Sequence, residues 1–316
     1  AGVAREVVAK YAESDGRVMS NPVGTGPYRL GQWVRSAKIV LEANADYRGF
    51  TWDFAPQQPG DDRLVARMKG KSMPQVGRVE ISVMEEDQAR WLAFQGGELD
   101  LMNMEGPLAP NAIGADGRIA PALAAKGVRL DRVVEPEIRF IYWNMRDPDT
   151  GGLAQEKVAL RRALAMSYDA AEEVRVVLNG QAVEAAYPIP PGVVGHDPAW
   201  KSAIRYDPAG ANALLDRFGY RRGPDGWRTW PDGRPLAITY ASRPDTQNRQ
   251  LEELVKKGYD AIGVHMAPQK DRFPELLKQE KQCRLPSREA AWVADYPDGD
   301  NFMQLLYGPN TNQSNN

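Results

Sequence analysis

Apolar and polar side chains in Val79-Glu80-Ile81-Ser82-Val83-Met84 alternate with a period of two, the pattern of a half-buried strand. Asp87 then predicts the N-cap of a helix carrying Trp91, Leu92 and Phe94, closed by Gly96-Gly97. Leu99-Asp100-Leu101-Met102 predicts a returning strand, so that the stretch makes a right-handed βαβ unit with parallel strands. A second such unit is predicted from Leu236–Tyr240, a helix over Thr246–Ile262, the stop at Gly263 and the strand Val264-His265-Met266. Between them lie a strand at Ile138–Asn144, a helical pair across Val158–Leu178, and a helix that opens on Asp207-Pro208 and ends at Gly219. The turn dipeptides Asp225-Gly226 and Asp232-Gly233 flank Trp227 and Trp230 and predict a projecting hairpin. Linkers are expected from Gly106-Pro107 to Ala120-Pro121 and at Glu135-Pro136, with a lobe boundary at the latter: one α/β lobe over residues 1–135 and a second over 136–316.

Composition narrows the function classes. The chain has 316 residues and a formal net charge of -2, so it carries no broad electrostatic drive toward phosphate backbones or anionic membranes. Nucleic acid is not an expected partner. No run approaches the ~18–20 apolar residues of a membrane span. Twenty-nine glycines and 24 prolines, spread without a period, predict many sharp turns between short elements. One cysteine, Cys283, allows no internal disulfide framework. Ala1 follows no initiator Met and opens no apolar signal region, so the chain reads as processed or truncated.

Catalytic constellations are scarce. His196 and His265 stand apart in no metal-ligand spacing and read as structural. Cys283 lacks a neighbouring His and reads as an inert thiol. No Gly-x-Ser-x-Gly elbow occurs. Gly24-Thr25-Gly26-Pro27 lacks the third glycine of a phosphate loop and loses an amide donor at Pro27, which favours a tight turn. Asp295, Asp298 and Asp300 miss the alternating oxygen spacing of a calcium loop. Glu85-Glu86-Asp87 reads as a negatively charged helix start, and Asn312-Gln313-Ser314 fits a glycosylation sequon. Neither a metal nor a cofactor is expected, and the enzyme class finds little support. What remains is binding. Trp292-Val293-Ala294-Asp295-Tyr296 is strand-like and ends in a carboxylate before the turn Pro297-Asp298-Gly299. Such a strand can pair with an extended ligand while the carboxylate captures an ammonium; a core strand followed by a turn-forming Asp explains the same residues, and both readings stay open.

Several stretches together resemble the extracellular solute-binding proteins of family 5, the peptide/nickel-type receptors of ABC importers. They are Asn21–Leu30 with Ile39–Asn44 and Asp46–Gly49, Gln95-Gly96-Gly97-Glu98-Leu99-Asp100, Leu160–Asp169, Tyr206-Asp207-Pro208-Ala209 through Leu215, and Trp292–Phe302. They run in family order over almost the whole chain. The resemblance implies a two-lobed α/β periplasmic-binding-protein architecture (type II-like, cluster C), with the chain partial at both ends and the first lobe incomplete. It implies a monomeric, non-enzymatic receptor, periplasmic or tethered outside the membrane, that captures a peptide-like solute in an interlobe cleft and hands it to the membrane permease of an ABC importer. It also implies that Asp295 binds the peptide's α-ammonium, that the backbone at Ala291–Val293 pairs with the peptide main chain, that Trp292 lines a side-chain pocket, and that Trp143-Asn144 reaches the same cleft. Ala291 stands where many relatives carry glycine, and Cys283–Ala290 departs from the family's approach to this strand. The same fold binding an oligosaccharide or a chelated metal, and a ligand-sensing domain of a transcription regulator, are the alternatives.

Overall fold

A computed structural model describes residues 4–11, 20–57, 60–104 and 106–310; the predicted sequon and most of the polar tail lie outside them. The chain divides into two compact units, Ala1–Glu85 and Glu86–Asn316.

The first unit holds helix α1 (Arg5–Tyr11), strands β1 (Tyr28–Val34) and β2 (Lys38–Ala43), the short β3 (Phe50–Thr51), helix α2 (Asp62–Met68), the short β4 (Ser72–Met73) and β5 (Arg78–Ser82). Strands β1, β2 and β5 form an antiparallel sheet in that order. The β1–β2 reversal passes through Ser36 at φ 58°. Gly24-Thr25-Gly26-Pro27 is held as a turn: Asn44 donates from Nδ2 to the Gly26 carbonyl at 3.1 Å and from its backbone N to Pro27 at 2.8 Å.

The second unit holds α3 (Asp87–Gln95), α4 (Ala109–Ala112), α5 (Pro121–Ala124), β6 (Glu137–Trp143), α6 (Gln155–Met166), α7 (Ala170–Glu172), which runs on as a π-helical turn over Glu173–Val177, α8 (Pro208–Arg217), β7 (Ala237–Ser242), α9 (Thr246–Ala261), β8 (His265–Lys270), α10 (Phe273–Lys281), β9 (Ser287–Val293) and α11 (Asp300–Met303). Its four-stranded sheet has the order β6-β9-β7-β8, antiparallel between β6 and β9 and parallel thereafter. The main core lies where α6, α8 and α9 cover the sheet: Leu160, Ala163, Ala211, Leu215, Tyr240, Val255 and Tyr259 are all buried. Asp207 caps α8 by accepting from Gly210 N at 2.8 Å, ahead of Pro208 at the first helical position. The β7–α9–β8 crossover is the predicted second βαβ unit, with Asp245 as the helix cap, accepting from Asn248 N.

Three expectations are corrected. The first βαβ unit does not form: β5 pairs antiparallel with β2 in the first unit, α3 begins the second, and residues 99–102 make no strand. The physical reason is that Gly96 and Glu98 donate back to Leu92 and Ala93, turning the chain. Met102 then packs with Met104 against Trp91, Leu108, Ala112 and Leu123 instead of joining a sheet. That small core also overturns the linker expected between Gly106 and Pro121, since Leu108 and Ala112 lie at its centre. Finally, the Trp227–Trp230 hairpin does not project. Its bridges Arg222↔Arg228 and Thr229↔Pro235 form, yet Arg228 and Trp230 are buried and Trp230 belongs to the main core.

Candidate functional site

The site grows out of the mismatch in length between two neighbouring strands. β9 is paired with β6 along its full length, from Trp143↔Ser287 to Glu137↔Val293. On its other flank it meets β7 at a single position, Ala241↔Arg288, and β7 ends at Ser242. Beyond that point β9 continues with an open flank.

Antiparallel alternation decides which groups face that opening. Ala294 N donates to Pro136 O at 2.8 Å, continuing the same register. The residues at even steps from it, Trp292 and Ala290, therefore turn their amides and carbonyls toward β6, and Glu289, Ala291 and Val293 turn theirs away. The Glu289 carbonyl takes Arg288 Nη1 at 2.7 Å. At the far end, the Asp295 amide donates to Asn301 Oδ1 at 3.1 Å. The N–H and C=O of Ala291 and Val293 are left without a protein partner among the described residues. Both residues are exposed, Val293 at 55%.

Asp295 lies just past β9, exposed, and forms no ion pair among the described residues. Side chains on a strand alternate, so Glu289, Ala291 and Val293 share one face and Ala290 and Trp292 the other. The Trp292 ring packs against the cluster of Ile138, Val193 and Phe302, while its Nε1 donates to Asn301 Oδ1 at 2.9 Å. The turn after Asp295 is built tightly. Gly299 N donates to Val194 O at 2.9 Å, and a Cβ at Gly299 would sit 2.7 Å from Ile189 Cδ1. Asp298 Oδ1 accepts from Asp300 N at 2.9 Å and Asp300 Oδ2 from Tyr296 Oη at 3.1 Å, so these carboxylates serve the turn. Among the described residues no group of three or more His, Cys, Asp or Glu side chains could hold a metal ion.

Ala291, Trp292, Val293 and Asp295 thus come together at one end of β9. Trp143 and Asn144 do not: the register puts Trp143 opposite Ser287, about 20 Å from Val293 at ~3.4 Å per residue. Asn144 is occupied in a turn, donating from Nδ2 to Cys283 O at 2.9 Å and accepting from Arg146 N at 3.0 Å. The histidines are similarly engaged. His196 Nδ1 lies 2.8 Å from Ile189 O, and His265 stacks on Trp227 with ring centroids 3.7 Å apart.

Two residues at the site escaped the sequence. Arg243 follows β7 directly, so the parallel register carries it level with Ala290, on the line the open flank continues. It is partly exposed, 3.4 Å from Asp245 Oδ2. Asn301 is fully buried beneath Trp292 and Asp295. The signal for Asn301 was its place in the Trp292–Phe302 motif; Arg243 had none, because only the strand register brings it to Ala290.

Glu289, on the face of β9 that carries Ala291 and Val293, is half-buried and faces the charge of Glu173, itself half-buried beside Tyr168. Burial pushes the Glu289 carboxyl up, against the opposing pull of Arg139, Arg243 and Arg288, and Glu173 pushes it further. Burial also raises Glu173, which accepts from Tyr168 Oη at 2.7 Å.

The chain as a whole is similar to known proteins. The model for bacterial extracellular solute-binding proteins, family 5 Middle, matches residues 1–314, and the chain belongs to that family. The dipeptide-binding protein of Escherichia coli K12 is 24% identical over 91% of this chain and 45% of its own length. The chain spans about half the length of the curated relatives it matches. Among solved structures, the oligopeptide-binding protein AppA of Bacillus subtilis, in complex with a nonapeptide, superposes with a TM-score of 0.74 at 17% identity, covering 95% of this chain and 54% of that one. NikZ of Campylobacter jejuni, in complex with Ni(L-His), gives 0.71 at 17% identity, covering 99% and 55%. The fold is therefore the mixed α/β fold of the family 5 periplasmic binding proteins.

Proposed function

We propose that the intact protein is an extracellular peptide receptor of an ABC importer, and that this chain supplies the strand on which the peptide lies. The observation that carries the reading is the open flank of β9 at Ala291 and Val293, whose backbone donors and acceptors have no partner among the described residues, ending at the carboxylate of Asp295, which forms no ion pair among them. A peptide laid there adds a strand to the sheet. Asp295 receives its ammonium, Ala291 and Val293 its main chain, and Trp292 walls the site on the opposite face. Arg243, at the other end, is placed for the terminal carboxylate. Arg243 and Asp295 stand five positions apart along β9, about 17 Å between Cα atoms, and their side chains shorten that span. A ligand of roughly two to four residues at ~3.4 Å each fits, in line with relatives named as dipeptide- and di/tripeptide-binding proteins. Trp143 and Asn144 act here only through the fold of β6 and its following turn.

The receptor delivers its peptide to a membrane permease and works as a monomer without a cofactor or turnover: bound peptide leaves intact. Among the described residues no helix is long and apolar enough to cross a membrane, which suits a receptor that meets its permease from outside.

Calorimetric titration of the intact protein with di- and tripeptides tests this. Asp295→Ala is expected to weaken binding about tenfold or more, the worth of a charge-assisted hydrogen bond of roughly 1.5–3 kcal/mol. Arg243→Ala is expected to weaken a free-acid peptide and leave its C-terminal amide unchanged. Unaltered affinity in Asp295→Ala would remove that residue from the site, and a preference for an oligosaccharide or a chelated metal over peptides would overturn the ligand class.

A further inference from the structure

We infer that Asn301 is a positioning residue that makes the site selective for a free ammonium, by fixing the direction in which Asp295 presents its carboxylate. The inference rests on the peptide-receptor reading and deepens it. Asp295 is exposed and lies past the end of β9, where no strand ladder restrains its side chain. Asn301, beneath it, is fully buried and has its donors and acceptors assigned by its neighbours. Its Oδ1 accepts two hydrogen bonds, from Trp292 Nε1 at 2.9 Å and from the Asp295 amide at 3.1 Å. Both donors are N–H groups that can never accept, so the amide cannot be flipped: turning it would set its NH2 against two N–H groups in a buried place. With Oδ1 fixed, Nδ2 is directed at Asp295 Oδ2, 3.4 Å away. That contact is at the long end of hydrogen bonding. It nonetheless places donor density on one carboxylate oxygen of the exposed Asp295, whose Oδ1 has no hydrogen-bond partner among the described residues and is left for an incoming cation.

The support for Asn301 is equally rigid. Phe302, next along α11, is fully buried against Ile138 and Val193. The amide of Asn301 donates to Asp298 O at 3.1 Å, and its carbonyl accepts from Gln304 Nε2 at 2.9 Å. One side chain therefore ties the Trp292 wall, the end of the open β9 flank and the anionic end of the site into one unit. Arranging a charge before the ligand arrives reduces the ordering cost of binding.

The experiment compares the intact wild-type protein with Asn301→Ala, Asn301→Ser, Asp295→Ala and the double variant Asn301→Ala/Asp295→Ala. The probes are Ala-Ala and propionyl-alanine, which differs only in lacking the ammonium. Wild type is expected to prefer Ala-Ala at least tenfold. Asn301→Ala is expected to lose most of that preference while its affinity for propionyl-alanine stays within about twofold, and the double variant to bind no more weakly than Asp295→Ala alone. Asn301→Ser keeps a shorter hydroxyl that can still accept from an N–H group, and it removes the amide NH2 directed at Asp295 Oδ2. It is expected to keep the fold, checked by near-ultraviolet circular dichroism, and still to lose the preference, which covers the case in which Asn301→Ala fails to fold. Equal losses for both probes, or losses that add in the double variant, would show a packing role and overturn the inference while leaving the receptor reading intact. A wild-type protein that binds neither probe nor other short peptides would overturn the receptor reading, and this inference with it.

Discussion

Arg228 carries its charge into the core, exposing only 2% of its surface. Its Nε donates to Ile262 O at 2.7 Å and its Nη2 to Asn212 Oδ1 at 2.8 Å, while Nη1 reaches the Tyr220 carbonyl and Asp216. Asp216 itself is largely exposed, so the carbonyls rather than the ion pair make this residue necessary. Arg228→Ala is expected to destabilise the protein by about 3 kcal/mol, because several buried acceptors lose their donor at once. Lysine should recover little of it, since an ammonium cannot reproduce the planar fork. Chemical denaturation of both variants checks this. Nothing in the sequence marks Arg228 among 40 basic residues, and the same holds for Arg243. Their roles come from partners far away in sequence, which a single chain read in order does not reveal.

At the scale of elements, legibility followed local information. The helix opened by Asp207-Pro208 and the β7–α9–β8 crossover were readable because caps, stops and periodicity sit within the segment itself. The unit around Val79–Met102 was not, because period-two alternation says that a strand forms but not which strand it joins. Helix packing gives a sharp test at Gly258 in α9, where a Cβ would come within 2.3 Å of the Ser167 carbonyl oxygen. In an open helix Gly→Ala gains ~1 kcal/mol. Here the obstacle is backbone at the end of α6, which cannot swing aside, and overpacking of this kind costs ~1–3 kcal/mol. Gly258→Ala is therefore expected to be destabilising, read as a lower denaturant midpoint at unchanged m-value.

For the whole molecule, stability should depend on pH through two half-buried acids. Glu289 and Glu173 are both raised above the ordinary 4.5. The folded state therefore holds protons that the unfolded chain releases more readily, and it gains most below the unfolded value. That gain is lost as pH rises through the folded values. Melting temperature is expected to fall as pH climbs from 4.5 toward neutrality, and Glu289→Gln to flatten part of the fall; a profile unchanged by the substitution would show that Glu289 does not contribute. Ligand acts on the same equilibrium. A peptide at a hundred times its Kd should add about 2.7 kcal/mol to the stability of the unit that binds it, seen as a concentration-dependent rise in melting temperature.

The local sequence was enough for the family, the longer helices α3, α6, α8 and α9 and the crossover around α9, and it pointed to the segment proposed as the site. These are written in local signals: capping residues, glycine stops, periodicity, and motifs in a fixed order. Tertiary structure alone decided the rest. Which flank of β9 stays open depends on where β7 stops relative to Arg288. The separation of Trp143 and Asn144 from Asp295 depends on β6 running antiparallel to β9. The burial of Asn301 under Asp295 depends on how the turn through Gly299 folds back. Register, strand direction and close approach are relations between segments distant along the chain, and packing free energy selects among them only when all the segments are present together.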